Sequence, residues 1–106
     1  MTNDYNLYSP IVTVVRGYCK MYHFMKESKD DPQVDKDVRA IYAYAYSAIS
    51  AALEANCRPD EAPYFVDDIG LGTGFNKSQM CFISECDYKT RKRKIVMDIA
   101  VNLRLV

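Results

Sequence analysis

Residues 33–56 place apolar side chains at Val34, Val38, Ile41, Tyr42, Ala45, Ile49, Ala52 and Leu53. That spacing follows the turn of an α-helix and draws one stripe along one face. Alanines at 40, 43, 45, 48, 51 and 52 favour helix and let a neighbouring element come close. A segment of this kind is stable only if its stripe is covered, so the rest of the chain must supply partners. The first partner lies just upstream. Tyr8, Ile11, Val12, Val15, Tyr18, Cys19, Tyr22 and Met25 recur with the same period and predict a helix over 7–28. Ser9-Pro10 reads as an N-cap followed by proline at the first helical position. The polar run 27–32 separates the two helices and is short enough for an antiparallel hairpin spanning 9–56.

Downstream the pattern weakens and then returns. Tyr64-Phe65-Val66 predicts one apolar turn packed on the hairpin, and residues 70–74 read as a glycine-rich turn. Gly70-Leu71-Gly72 matches the start of a phosphate-binding loop, but no strand precedes it and the full pattern does not follow. Asp67 and Asp68 read as part of a solvated turn, with no third ligand in view for a cation. A short helix is expected at 78–84, with Ser78 as its cap. The last helix is expected at 87–103. Tyr88, Lys92, Ile95, Val96, Ile99, Ala100 and Leu103 fall along one side, and Ser84 or Asp87 is placed to cap it. The expected fold is therefore all-α, one domain over 1–106 with four to five helices. It consists of a long helical hairpin followed by a helix-turn-helix-like unit over 77–103.

At 106 residues the chain fits a single domain whose stability an oligomer interface would reinforce. No window reaches the roughly 18 uninterrupted apolar residues of a membrane span, and Met1-Thr2-Asn3-Asp4 does not read as a secretory signal. The expected location is cytoplasmic, with Cys19, Cys57, Cys81 and Cys86 as reduced thiols. Cys19 and His23 share a helix face at i, i+4 and define, with Cys81 and Cys86, a conceivable zinc set. No Cys-x-x-Cys pair supports it, and buried structural thiols are the simpler reading, so neither metal nor cofactor is expected.

Formal charge is zero overall, but it is polarised. From Asp87 onward Lys89, Arg91, Lys92, Arg93, Lys94 and Arg104 face only Asp87 and Asp98, a balance of +4 that leaves −4 for the first 86 residues. Polarisation of this kind points to a localised anionic partner. A short helix, a tight turn and a longer helix with basic first turns would place those turns in a major groove. Tyr88, Lys89, Arg91, Lys92 and Lys94 are the expected contacts to double-stranded DNA, with Lys77 and Arg93 on phosphate.

The run Gly74-Phe75-Asn76-Lys77-Ser78, followed by Tyr88, Lys92-Arg93, Ile95-Val96, Asp98, Ile99 and Ala100, resembles the C-terminus of ArpU/RinA-type phage transcriptional regulators. The segment around Arg39-Ala40-Ile41 and Ala48-Ile49 is similar to the helix that precedes it there. The resemblance implies a sigma-factor-like helix-turn-helix that regulates transcription, and it covers about the last 30 residues best. The chain departs from the pattern in having a single Tyr88 after Asp87 and a glycine-rich segment before the turn.

Two other function classes bear on this sequence. Nine tyrosines are many for this length, and Tyr42, Tyr44 and Tyr46 cannot all share one helix face. Tyr44 and Tyr46 are therefore candidate contacts in a homo-oligomer or to a protein partner, and a small non-enzymatic protein-binding module is the alternative function. Catalysis is the weakest reading: His23 is the only histidine, and no acid or nucleophile stands at a predictable spacing from it.

Overall fold

The computed structural model describes residues 5–106 and is all-helical. Five helices follow one another: α1 (Ser9–Lys20), α2 (Tyr22–Ser28), α3 (Lys36–Asn56), α4 (Ala62–Leu71) and α5 (Glu85–Asn102). The extents are 42 × 31 × 21 Å, so the bundle is about two helix diameters thick.

The first expected helix is two. The chain breaks at Met21 (φ −90°, ψ 0°), whose N–H is shared between the carbonyls of Gly17 and Tyr18. The two halves face different partners. α1 buries Val12, Val15 and Cys19, mainly against α4, whereas α2 turns Met25 and Ser28 toward α3. A straight helix could not serve both, so the hairpin expected over 9–56 is reduced to α2 against α3. Ser9 is the first residue of α1 rather than its cap, and Pro10 follows in the first turn.

Gly70 explains how close α1 and α4 come. A Cβ there would stand 2.7 Å from Lys20 N, 2.8 Å from Lys20 Cα and 2.9 Å from the Cys19 carbonyl carbon. All three are backbone atoms that cannot rotate away. Arg16 Nε ties the same seam by donating to the Ile69 carbonyl (3.2 Å), one of the unpaired acceptors at the end of α4.

α3 begins where Asp35 accepts from the N–H groups of Asp37 and Val38, a side-chain cap. Its inner face buries Ala45, Ala48, Ile49, Ala52 and Leu53. Ile41, on that stripe one turn before Ala45, is 54 % exposed, so the covered part of the face begins only at Ala45. α3 packs along α5 and is tied to it by polar contacts. Asn56 Nδ2 donates to Asp98 Oδ2 (2.8 Å), Asn102 Nδ2 to the Ala48 carbonyl (3.0 Å), and the Tyr44 hydroxyl to the Asn102 carbonyl (3.0 Å).

α4 was expected as a single turn but spans ten residues and buries Phe65, Val66, Asp68 and Ile69. Gly72 ends it in the left-handed region (φ 70°), where glycine alone is unstrained. The helix expected at 78–84 is absent: residues 77–83 form successive turns, nucleated by Asn76 Oδ1 accepting from the Ser78 N–H and hydroxyl. Within 77–103 there is thus one helix, α5, rather than a tight helix-turn-helix pair. Met80 plugs the core from this connection and Phe75 lies against Tyr88. Ser84 caps α5 by accepting from the Asp87 N–H.

Two glycine substitutions have opposite expected outcomes. Gly70→Ala forces backbone atoms apart and should lower stability by about 1–3 kcal/mol. Gly17→Ala meets nothing within 4 Å on a helical backbone and should raise it by about 0.5–1 kcal/mol. Urea unfolding midpoints of the two variants against the parent check both.

Candidate nucleic-acid interface

The start of α5 is organised around a carboxylate that belongs to α4. Asp68 is buried, its side chain 1 % exposed, and three donors converge on it. The Tyr88 hydroxyl donates at 2.7 Å, Lys92 Nζ at 2.9 Å, and the Gly74 N–H at 2.6 Å. Helix α4, the connection after it and helix α5 therefore meet on one side chain. Tyr88 is stacked on Phe65, ring centroids 4.6 Å apart and 15° from parallel, and only 1 % of its surface is exposed.

The electrostatics follow from this geometry. Burial alone would raise the Asp68 carboxyl, but hydrogen bonds from Tyr88, Lys92 and Gly74, with the Lys92 charge, outweigh it and hold the group below its ordinary value. Burial, and then the hydrogen bond to Asp68, pushes the Tyr88 phenol up from 10.0.

This arrangement revises the contacts expected from sequence. Tyr88 is a core residue and cannot reach a ligand. Lys92 points inward, with its ammonium committed to Asp68. Arg91 turns to the other side, where NH1 lies 3.6 Å from the buried Glu61 carboxylate, itself held by the Arg58 N–H (2.7 Å). Four consecutive residues on a helix point around most of its circumference, so Arg91 to Lys94 do not form one ridge. Lys89, Thr90, Arg93 and Lys94 remain on the outer side and are exposed. Lys89 has only an exposed i, i+4 partner, Glu85 at 3.5 Å, a contact of little strength. Arg93 and Lys94 have no ion-pair partner among the described residues. Lys77 is exposed in the turn before α5. Lys89, Lys92, Arg93 and Tyr5 line a hollow of about 320 Å³ along one edge of the helix.

The remaining candidates are dispersed. Tyr44 is half-exposed on α3, but Tyr46 lies in the α2–α3 seam, stacked on Tyr22 at 4.9 Å, with Lys29 over its ring at 5.3 Å. Tyr46 is thus an internal packing residue. Cys19 is buried on the inner face of α1, His23 is exposed on α2, Cys81 is exposed in the connection before α5, and Cys86 is exposed in the first turn of α5. Among the described residues no three His, Cys, Asp or Glu side chains gather as a metal site. Burial pushes the Cys19 thiol up to about 12 and, with Glu61 nearby, the Cys57 thiol up to about 11, so neither is a ready nucleophile. The fold does supply His23 with an acid that the sequence spacing did not reveal, Asp67 Oδ1 at 3.0 Å, in an exposed pair.

Asp68 was the residue missed. Its signal is faint but real: an acid one turn after the apolar Tyr64-Phe65, flanked by Val66 and Ile69, falls on the packed side of any helix drawn there. Lys92 and Tyr88 were already on the apolar side of α5 by spacing.

The pH dependence of stability should report this cluster. Because the folded Asp68 value lies below the unfolded value of 3.8, its contribution is present above that pH and is lost as pH falls through the folded value. Because Tyr88 is raised, its contribution is present below pH 10 and is lost as pH rises beyond it. Asp68→Ala should cost about 3–5 kcal/mol, because it leaves Lys92 without its partner, and should flatten the acid limb in chemical unfolding followed from pH 2 to pH 7. No protein-family model, curated protein or solved structure matches the chain.

Proposed function

We propose that this protein binds double-stranded DNA as a cytoplasmic, phage-type transcriptional regulator, through the outward side of the first turns of α5. One observation carries the reading. The inner side of those turns is pinned by Asp68, Tyr88 and Lys92, so Lys89, Thr90, Arg93 and Lys94 are held outward on a fixed backbone. A fixed backbone keeps these cations turned toward a passing phosphate, and among the described residues no carboxylate of another helix pairs with Arg93 or Lys94. The hollow beside Lys89 and Arg93 has the charge to seat a phosphate, and Lys77 extends the basic surface at the turn. The likeness of the C-terminal segment to ArpU/RinA-type regulators points the same way.

On this reading Tyr88 and Lys92 are positioning residues, and Arg91 contributes through the half of its side chain that remains exposed. Binding is electrostatic in the main, so affinity falls with salt by roughly 0.9 log unit per log of salt for each phosphate neutralised. The test is fluorescence anisotropy with a labelled duplex of mixed sequence across a salt series. Lys89→Ala/Arg93→Ala/Lys94→Ala should flatten the salt slope by about 2–3 and leave helicity unchanged. Binding and slope equal to those of the parent protein would overturn the assignment.

A further inference from the structure

The outer side of α3 is built unlike that of a free surface helix. From residue 40 to residue 53 the chain has no charged side chain, although Ala40, Ile41, Tyr44, Ser47 and Ala51 are exposed. A helix whose outer face is solvated ordinarily carries charges there. Ala40, Tyr44, Ser47 and Ala51 are four, three and four residues apart and form one stripe opposite the buried Ala45–Ile49–Ala52 side. Tyr44, 50 % exposed with its hydroxyl on the Asn102 carbonyl, gives it aromatic area.

Charges reappear at the two ends of the stripe, and they have opposite sign. Lys36 begins the helix and Glu54 lies in its last turn, about 27 Å apart at 1.5 Å per residue. Both are exposed, and neither has an ion-pair partner among the described residues. Both also oppose the helix dipole, a cation at its positive end and an anion at its negative end. An isolated helix disfavours this placement; an antiparallel neighbour of the same sequence uses it.

We infer that α3 pairs with α3 of a second copy, antiparallel, about a two-fold axis near residues 44–47. In that register Lys36 faces the second copy's Glu54, Ala40 faces its Ala51, and Tyr44 fits beside its Ser47. A two-fold axis makes each of these contacts twice, and it keeps Lys36 and Glu54 on the same edge of the seam, away from Asp37. The small residues let the helices approach, and the two tyrosines fill the space beside the hydroxyls. The occupant is a second copy because the end charges complement each other only when the same helix runs backwards. The seam is smaller than a permanent dimer interface, so association is on the order of micromolar to sub-millimolar.

Sedimentation velocity on the full chain, from a few micromolar to about 1 mM, tests this. The parent protein should shift from monomer to dimer across that range. Ser47→Glu changes an exposed side chain on the outer side of α3, and it should raise the dissociation constant at least tenfold with helicity and unfolding midpoint unchanged. Lys36→Glu and Glu54→Lys should each weaken the dimer several-fold, and Lys36→Glu/Glu54→Lys together should restore it. A monomer at every concentration, a dimer indifferent to Ser47→Glu, or a double swap that fails to restore association would each overturn the pairing. None of these outcomes depends on DNA, so they are read separately from the salt-slope experiment.

Discussion

A buried carboxylate requires compensation, and in this protein that requirement determines how the C-terminal half is assembled. Asp68 has lost its water and regains hydrogen bonds from a phenol, an ammonium and a backbone N–H. Each donor comes from a different place along the chain: Gly74 just past α4, Tyr88 in the first turn of α5, and Lys92 one turn later. To satisfy the acid, the connection must fold back at Gly72, and α5 must arrive in one rotational setting. Apolar packing alone is permissive about such rotation, whereas three directed bonds are not. Phe65 and Phe75 then close around the Tyr88 ring and keep the cluster dry.

Much of the fold could be read from the residues. The periodic apolar positions locate α3 and α5 to within a few residues, and of the two candidate caps of α5, Ser84 or Asp87, it is Ser84 that caps it. The helical class and the inward stripe of α5 followed from the same period. What escaped were features that depend on a partner. Met21 has no local signature of a break; α1 and α2 part there because α4 and α3 lie in different directions. Gly70 reads as a turn residue by type, yet it sits inside a helix because a neighbouring backbone passes within reach of any side chain. Residues 78–84 have helical apolar spacing, but Asn76 draws the first N–H groups into a turn, and only Met80 among them is fully buried.

The contact surface shows the same limit more sharply. Lys92 and Tyr88 are types that meet phosphate, and their position after a cap suggested a reading face. Their spacing relative to Ile95, Val96 and Ile99 placed them on the packed side instead, and the fold follows spacing rather than type. Ile41, by contrast, lies on the expected stripe by spacing, yet the buried part of that face begins only at Ala45. A stripe drawn from hydrophobicity alone is too long when its partners cover only part of the helix.

The ties between α3 and α5 have a mechanical consequence. Asn56, Tyr44 and Asn102 lace residues 44–56 of α3 to residues 98–102 of α5, through Asp98 at one point and the Ala48 and Asn102 carbonyls at another. Two rods joined at two separated points cannot swivel about each other. A torque applied to the far tip of one is therefore delivered to the other without being absorbed in between, and the pair behaves as a single rigid strut.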